Sequence, residues 1–184
     1  MVAFEEFTEP PIPADTADPN SGPPLHEACS PIGELVGIWR GRGEVDYPTI
    51  NGPYRFGQQV TISHDGRPFL RHQAKAWLLD ADGNVLRPAA WETGWWRPGA
   101  NGRLELLLSH ATGILEVFYG HVDQRRWEFT TDSVLPTDTA KQVSAARRSY
   151  ALRDDDALDY AESREMVGEP MTPHVSAELR RVRA

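Results

Sequence analysis

Along much of the chain, apolar side chains fall at every second position. Leu104, Leu106 and Leu108 alternate with Glu105 and Ser109, and Trp127 and Phe129 alternate with Glu128 and Thr130. A period of two puts the apolar residues on one face of a pleated strand and the polar residues on the other. Turn sequences separate such segments: Asn51-Gly52-Pro53, Asp65-Gly66-Arg67-Pro68, Asp82-Gly83-Asn84, Pro98-Gly99-Ala100-Asn101-Gly102 and the acidic Asp154-Asp155-Asp156. This punctuation predicts about ten strands. Joined in order by short links, they most economically form an antiparallel up-and-down β-barrel, which has no unpaired edges. The interior of a barrel that wide stays partly unfilled, so an all-β fold with a ligand cavity is expected.

The barrel opens with Gly37-Ile38-Trp39-Arg40-Gly41-Arg42-Gly43 and runs on to Tyr47-Pro48-Thr49-Ile50. A large indole there can plug one end, with glycines at alternate positions where side chains would crowd. Upstream, Leu25 to Val36 reads as a short helical stretch that Pro31 divides into two pieces, placed to close one end of the barrel. Residues 1–24 hold Pro10, Pro11, Pro13, Pro19, Pro23 and Pro24 among acidic and small residues. Such a composition buries too little apolar surface to offset its ordering entropy, so a disordered tail is expected before a barrel domain at 25–184.

Composition narrows the functions. The net charge of -8 over 184 residues disfavours binding driven by phosphate neutralisation or by anionic lipid, so neither nucleic acid nor a membrane is an expected partner. Cys29 is the sole cysteine, which rules out an intrachain disulfide and any cysteine-built zinc or iron–sulfur site within one chain. The early residues Glu5, Glu6 and Glu9 are unlike a secretory leader, and no apolar run reaches membrane-spanning length, so a cytoplasmic location is expected. The six histidines form no HExxH pair, and GxSxG, Walker and dinucleotide-binding glycine patterns are absent. Enzymes that build acid, base and nucleophile from their own side chains are therefore disfavoured.

The opening GxWxGxG is followed in order by Tyr47-Pro48-Thr49-Ile50, Ser63-His64-Asp65-Gly66-Arg67-Pro68-Phe69-Leu70, Glu92-Thr93-Gly94-Trp95-Trp96-Arg97, His110-Ala111-Thr112-Gly113-Ile114-Leu115-Glu116-Val117 and Glu169-Pro170-Met171-Thr172-Pro173-His174. Together these motifs resemble the nitrobindin family over roughly residues 35–184. The resemblance implies a barrel like that of fatty-acid-binding proteins that holds a b-type haem (heme b), binds nitric oxide and isomerises peroxynitrite to nitrate. It also implies that His174 is the iron ligand, that Thr49 lies in the haem-pocket wall, and that Lys141 lies at the haem edge, where a cation offsets propionate charge. No catalytic residue beyond the haem iron is implied. A homodimer is left open.

From spacing alone, His174 reads as an exposed residue at the start of the last strand. It shares a face with Ser176, Glu178 and Arg180, opposite Val175, Ala177 and Leu179. A barrel mouth can turn its polar face inward, so parity leaves both readings open. His72, on a face with Leu70, Ala74, Ala76 and Leu78, reads as a hydrogen-bonded core histidine, and His64 and His110 read as turn-stabilising residues. Some nitrobindins carry Met-His just before the Glu-x-Gly stretch, where this chain has Ala89-Ala90-Trp91. An apolar distal side that includes Trp91 is therefore expected. The alternative is a carrier of fatty acid or another lipophilic ligand without haem, its carboxylate held by Arg55, Arg71, Arg147 or Arg148.

Overall fold

The computed structural model describes residues 11–182. Ten antiparallel strands follow one another in sequence: β1 (Gly37–Val45), β2 (Tyr54–Ser63), β3 (Leu70–Leu79), β4 (Val85–Pro98), β5 (Leu104–His110), β6 (Ile114–Asp123), β7 (Arg126–Pro136), β8 (Val143–Leu152), β9 (Ala157–Met166) and β10 (Glu169–Arg181). Each pairs with its neighbours in the chain, and β1 pairs with β10 to close the ring. The strand count, the antiparallel order and the closure agree with the alternation pattern. Among the described residues, no helix is long and apolar enough to cross a membrane.

One end of the barrel is plugged. The segment Glu27–Leu35 forms a single 3₁₀ helix with Pro31 inside it, where the sequence suggested two pieces. Cys29, Ile32 and Leu35 lie three residues apart and are all fully buried. A helix of three residues per turn puts them on one face, so burial against the barrel compensates for the N–H that Pro31 lacks. Two buried indoles anchor this lid by donating to its carbonyls: Trp39 Nε1 to Leu35 O at 2.8 Å and Trp127 Nε1 to Pro31 O at 2.9 Å. Arg181 covers the outer side, 4.0 Å above the Trp39 ring, and donates to the Glu34 and Val36 carbonyls.

The glycines of the opening strand are required by the closure itself. A Cβ at Gly41 would collide with the Glu178 carbonyl of β10, and one at Gly43 with the Ser176 carbonyl. Without those side chains, β1 and β10 approach closely enough to pair over Trp39–Val45. Of the segment expected to be a loose tail, residues 1–10 lie outside the described residues. Further along, Thr16 makes a two-way backbone bridge to His64, and Asp15 accepts a hydrogen bond from Ser63.

Candidate functional site

Opposite the plug, the barrel opens on a cavity of about 840 Å³, a size that holds a cofactor-sized molecule. Val45, Phe56, Leu78, Val143, Met166 and Val175 contribute apolar wall. Tyr47, Thr49, Lys141 and His174 all line it, so the three site residues expected from the sequence, Thr49, Lys141 and His174, meet at one opening.

His174 reaches the cavity through a β-bulge. Pairing between β10 and β9 runs Pro173 with Ser163 and then Val175 with Glu162, which leaves His174 as the extra residue. A bulge interrupts strict alternation and re-aims a side chain. His174 and Val175 are consecutive yet both line the cavity, so the face shared by Ser176, Glu178 and Arg180 does not extend to His174. The Tyr47 ring stacks on the imidazole, with centroids 4.1 Å apart and planes 18° from parallel. The Asp46 N–H fixes the backbone by donating to the His174 carbonyl at 3.1 Å. Lys141 completes the group, its Nζ 5.8 Å from the centre of the Tyr47 ring.

Burial pushes the His174 imidazole down to about 4; Glu162 opposes the shift, while Arg164, Lys141 and Arg148 reinforce it. The ring is therefore neutral at pH 7 and keeps a nitrogen lone pair available, as a metal ligand needs. Among the described residues, no side-chain hydrogen bond occupies either of its ring nitrogens.

Below the mouth lies a buried ionic network that the sequence reading did not assemble. Arg148 clamps Glu92 with two hydrogen bonds of 2.8 Å and faces Glu162 Oε2 at 3.1 Å. Arg164 donates to Glu162 and lies 3.3 Å from Glu116 Oε1, and Tyr160 Oη donates to Glu162 at 2.5 Å. Burial alone would raise the Glu92 carboxyl, but Arg148 and the His72 hydrogen bond outweigh it and hold the group well below the usual carboxylate range. Glu162 is likewise held at about 2, with Arg148 and Arg164 overcoming burial. Burial raises the Tyr150 and Tyr160 hydroxyls, so both phenols stay protonated.

The histidines divide into distinct roles. His72 is a fully buried core residue, as expected: its Nδ1 accepts from Trp96 Nε1 at 3.1 Å, and its Nε2 faces Glu92 at 3.0 Å. An indole only donates, so the His72 proton sits on Nε2 and goes to Glu92. His64 is buried beside the Thr16 bridge. The backbone of His110 opens the expected turn, its carbonyl accepting from Gly113 N–H. Its side chain, however, enters the cavity wall, with Nε2 2.6 Å from Glu116 Oε2 and Nδ1 3.4 Å from Glu92 Oε2. Trp91 also differs from expectation: it turns outward, 51% exposed, beneath Lys75 Nζ at 4.2 Å. Pairing of β3 with β4 skips Ala89, and this second bulge brings both Ala89 and Ala90 into the cavity wall in its place.

These features fit a haem. The cavity has apolar walls, one neutral imidazole at its mouth and a lysine on the rim, where two propionates would meet both charge and water. They fit a fatty-acid carboxylate less well. Arg55, Arg71 and Arg147 are exposed, and Arg148, inside the barrel, is already neutralised by Glu92 and Glu162. Residues 28–181 match the family described as the THAP4-like, heme-binding beta-barrel domain. The chain belongs to this family of heme-binding barrels.

Similar proteins carry functional names. A protein of Streptomyces griseus named peroxynitrite isomerase is 46% identical over 173 residues, 94% of this chain and 93% of its own. A protein of Saccharopolyspora erythraea named ferric nitrobindin-like protein is 42% identical over 179 residues, 96% of this chain and 84% of its own. The crystal structure of Rv2717c from M. tuberculosis matches with a TM-score of 0.77 at 36% identity, covering 87% of this chain and 100% of that one. Within this heme-binding barrel family, the mouth that gathers Thr49, Lys141 and His174 is the candidate haem site.

Proposed function

We propose that this barrel holds a b-type haem through His174, isomerises peroxynitrite to nitrate, and binds nitric oxide at the same group. The observation that carries the reading is the neutral, bulge-mounted imidazole of His174, stacked on Tyr47 at the mouth of a largely apolar cavity. The names of the relatives, at 40–46% identity, support the activity. A non-covalent haem is supported by the position of Cys29, buried under the plugged end and outside the cavity lining. When bound, the haem supplies the iron at which the O–O bond of peroxynitrite rearranges. The side chains do the rest. His174 offers its lone pair, and Tyr47 fixes the plane of the ring. Lys141 offsets propionate charge at the rim, Thr49 closes the wall beside it, and the apolar walls keep bulk water from the reacting species.

The functional unit in this proposal is residues 25–184, with 1–24 dispensable for haem binding, and its setting is the cytoplasm. The test is to mix peroxynitrite with haem-loaded and haem-free protein and to measure both its decay rate and the nitrate yield. Haem-loaded protein is expected to accelerate decay and to raise the nitrate share. Equal rates and yields for the two forms would contradict the proposed activity.

A further inference from the structure

The ring of strands is closed, but one seam parts at the open end. Pairing of β7 with β8 stops at Thr130 and Arg147, although β7 continues to Pro136 and β8 starts at Val143. The outer neighbours of these two strands follow them to the rim: β6 stays with β7 as far as Ile114 and Pro136, and β9 with β8 as far as Met166 and Val143. Each strand carries a bulge just above the last rung, at Asp132 on β7 and at Ser144 on β8. Bulges bend a strand and end its pairing, so two of them on facing edges hold the seam apart. The Thr131 hydroxyl closes the root of the split: it accepts from the Ala146 N–H at 2.9 Å and donates to the Ala146 carbonyl at 3.3 Å.

Residues 137–142 span the split. The Thr137 N–H ties one end of this loop to the Gly113 carbonyl at 2.8 Å, and the Val167 N–H ties the other by donating to the Gln142 carbonyl at 2.9 Å. Ala140 of the loop and Val134 of β7 pack on Ile114, Val143 and Met166, a small cluster separate from the main core. Ile114, Val143 and Met166 face the cavity, as do Thr139 and Lys141 of the loop, whereas Val134 and Ala140 do not line it. Opening the loop therefore breaks two backbone hydrogen bonds and uncovers a few small side chains, far less than parting a continuous ladder would. The lip between β1 and β2 is tied differently. There Tyr47 stacks on His174 and the Asp46 N–H donates to the His174 carbonyl, so moving that lip would disturb the imidazole.

We propose that residues 137–142 are a hinged gate through which the haem enters and leaves the cavity, swinging out at the β7–β8 split while the rest of the barrel stays closed. Lys141 rides on this gate, so the cation that offsets the propionates is withdrawn as the gate opens and returned as it shuts. The gate rests on the haem reading above. It sets the rate at which haem exchanges and leaves the affinity of the closed barrel unchanged.

The test is the kinetics of haem exchange on the full-length protein, with uptake of hemin followed by stopped flow at the Soret band and release followed by transfer to excess apomyoglobin. Val134→Ala trims the cluster under the gate without touching the cavity lining. Both rates are expected to rise about fivefold, with the dissociation constant and the Soret band unchanged, because an easier opening lowers one barrier in both directions. Val122→Ala makes the same truncation on β6 against the main core and is expected to leave both rates alone. Hydrogen exchange of the haem-free protein provides a second measurement: Val134→Ala should speed exchange of the Thr137 and Val167 amides, which tie the gate, by a similar factor and leave β2 and β3 unchanged. Uptake and release rates equal to wild type in Val134→Ala, or a change shared by Val122→Ala, would overturn the gate alone. A wild type that gives no Soret band with hemin would instead refute the haem reading itself.

Discussion

At His174 the geometry makes a proton-linked prediction. The imidazole sits at about 4 because it is buried, against about 6.5 for a histidine in an unfolded chain. Above pH 6.5 the ring is neutral in both states and contributes no pH dependence. Between 6.5 and 4 the unfolded chain takes up a proton that the folded barrel does not, so stability falls with pH in that window. Urea unfolding of the haem-free protein at pH 7.5 and pH 4.5 measures this. Wild type is expected to lose more stability over the interval than His174→Ala, and equal losses would show that the ring is not shielded. Residues such as Thr49 and Lys141 were legible because short motifs carry them. His110 was not, because its meaning comes from Glu92 and Glu116 on two other strands, and nothing local marks that meeting.

At the scale of elements, alternation gave the strands but not their bulges. A period-two pattern runs through Pro173-His174-Val175 without showing that one residue is extra, and the same holds at Ala89. Only the register against a partner strand reveals it, and the two bulges form opposing parts of the cavity wall. The hairpin between β6 and β7 was silent for a different reason: it turns on Gln124 and Arg125, both at positive φ, with no glycine or asparagine as signal. The ionic network ties β4, β6, β8 and β9 together across the barrel. Arg148→Met would leave Glu92 and Glu162 buried without their shared partner, and a loss of about 3–5 kcal/mol is expected by chemical denaturation. A change below about 1 kcal/mol would mean that water or another cation replaces the guanidinium.

For the whole molecule, closure depends on β1 and β10 meeting without side chains between them. Gly41→Val drives a branched side chain into the Glu178 carbonyl, so loss of the folded barrel is expected, read as loss of cooperative thermal unfolding; a melting temperature close to wild type would show that the seam can relax. The plugged end and the strand order followed from the sequence because Trp39, the glycines and the turns act locally. The open end drew on ligand chemistry as much as on packing. A haem that binds only the folded barrel stabilises it by mass action, about 4 kcal/mol at a thousandfold excess over the dissociation constant, or roughly 8–16 °C in melting temperature for a chain of this size. The most direct test of the central claim is a hemin titration of the haem-free wild type and His174→Ala, followed by the Soret band. Wild type should give a saturable, sharp Soret band, and the variant should lose that band until free imidazole is added. An identical band in both proteins would remove His174 as the iron ligand and contradict the account.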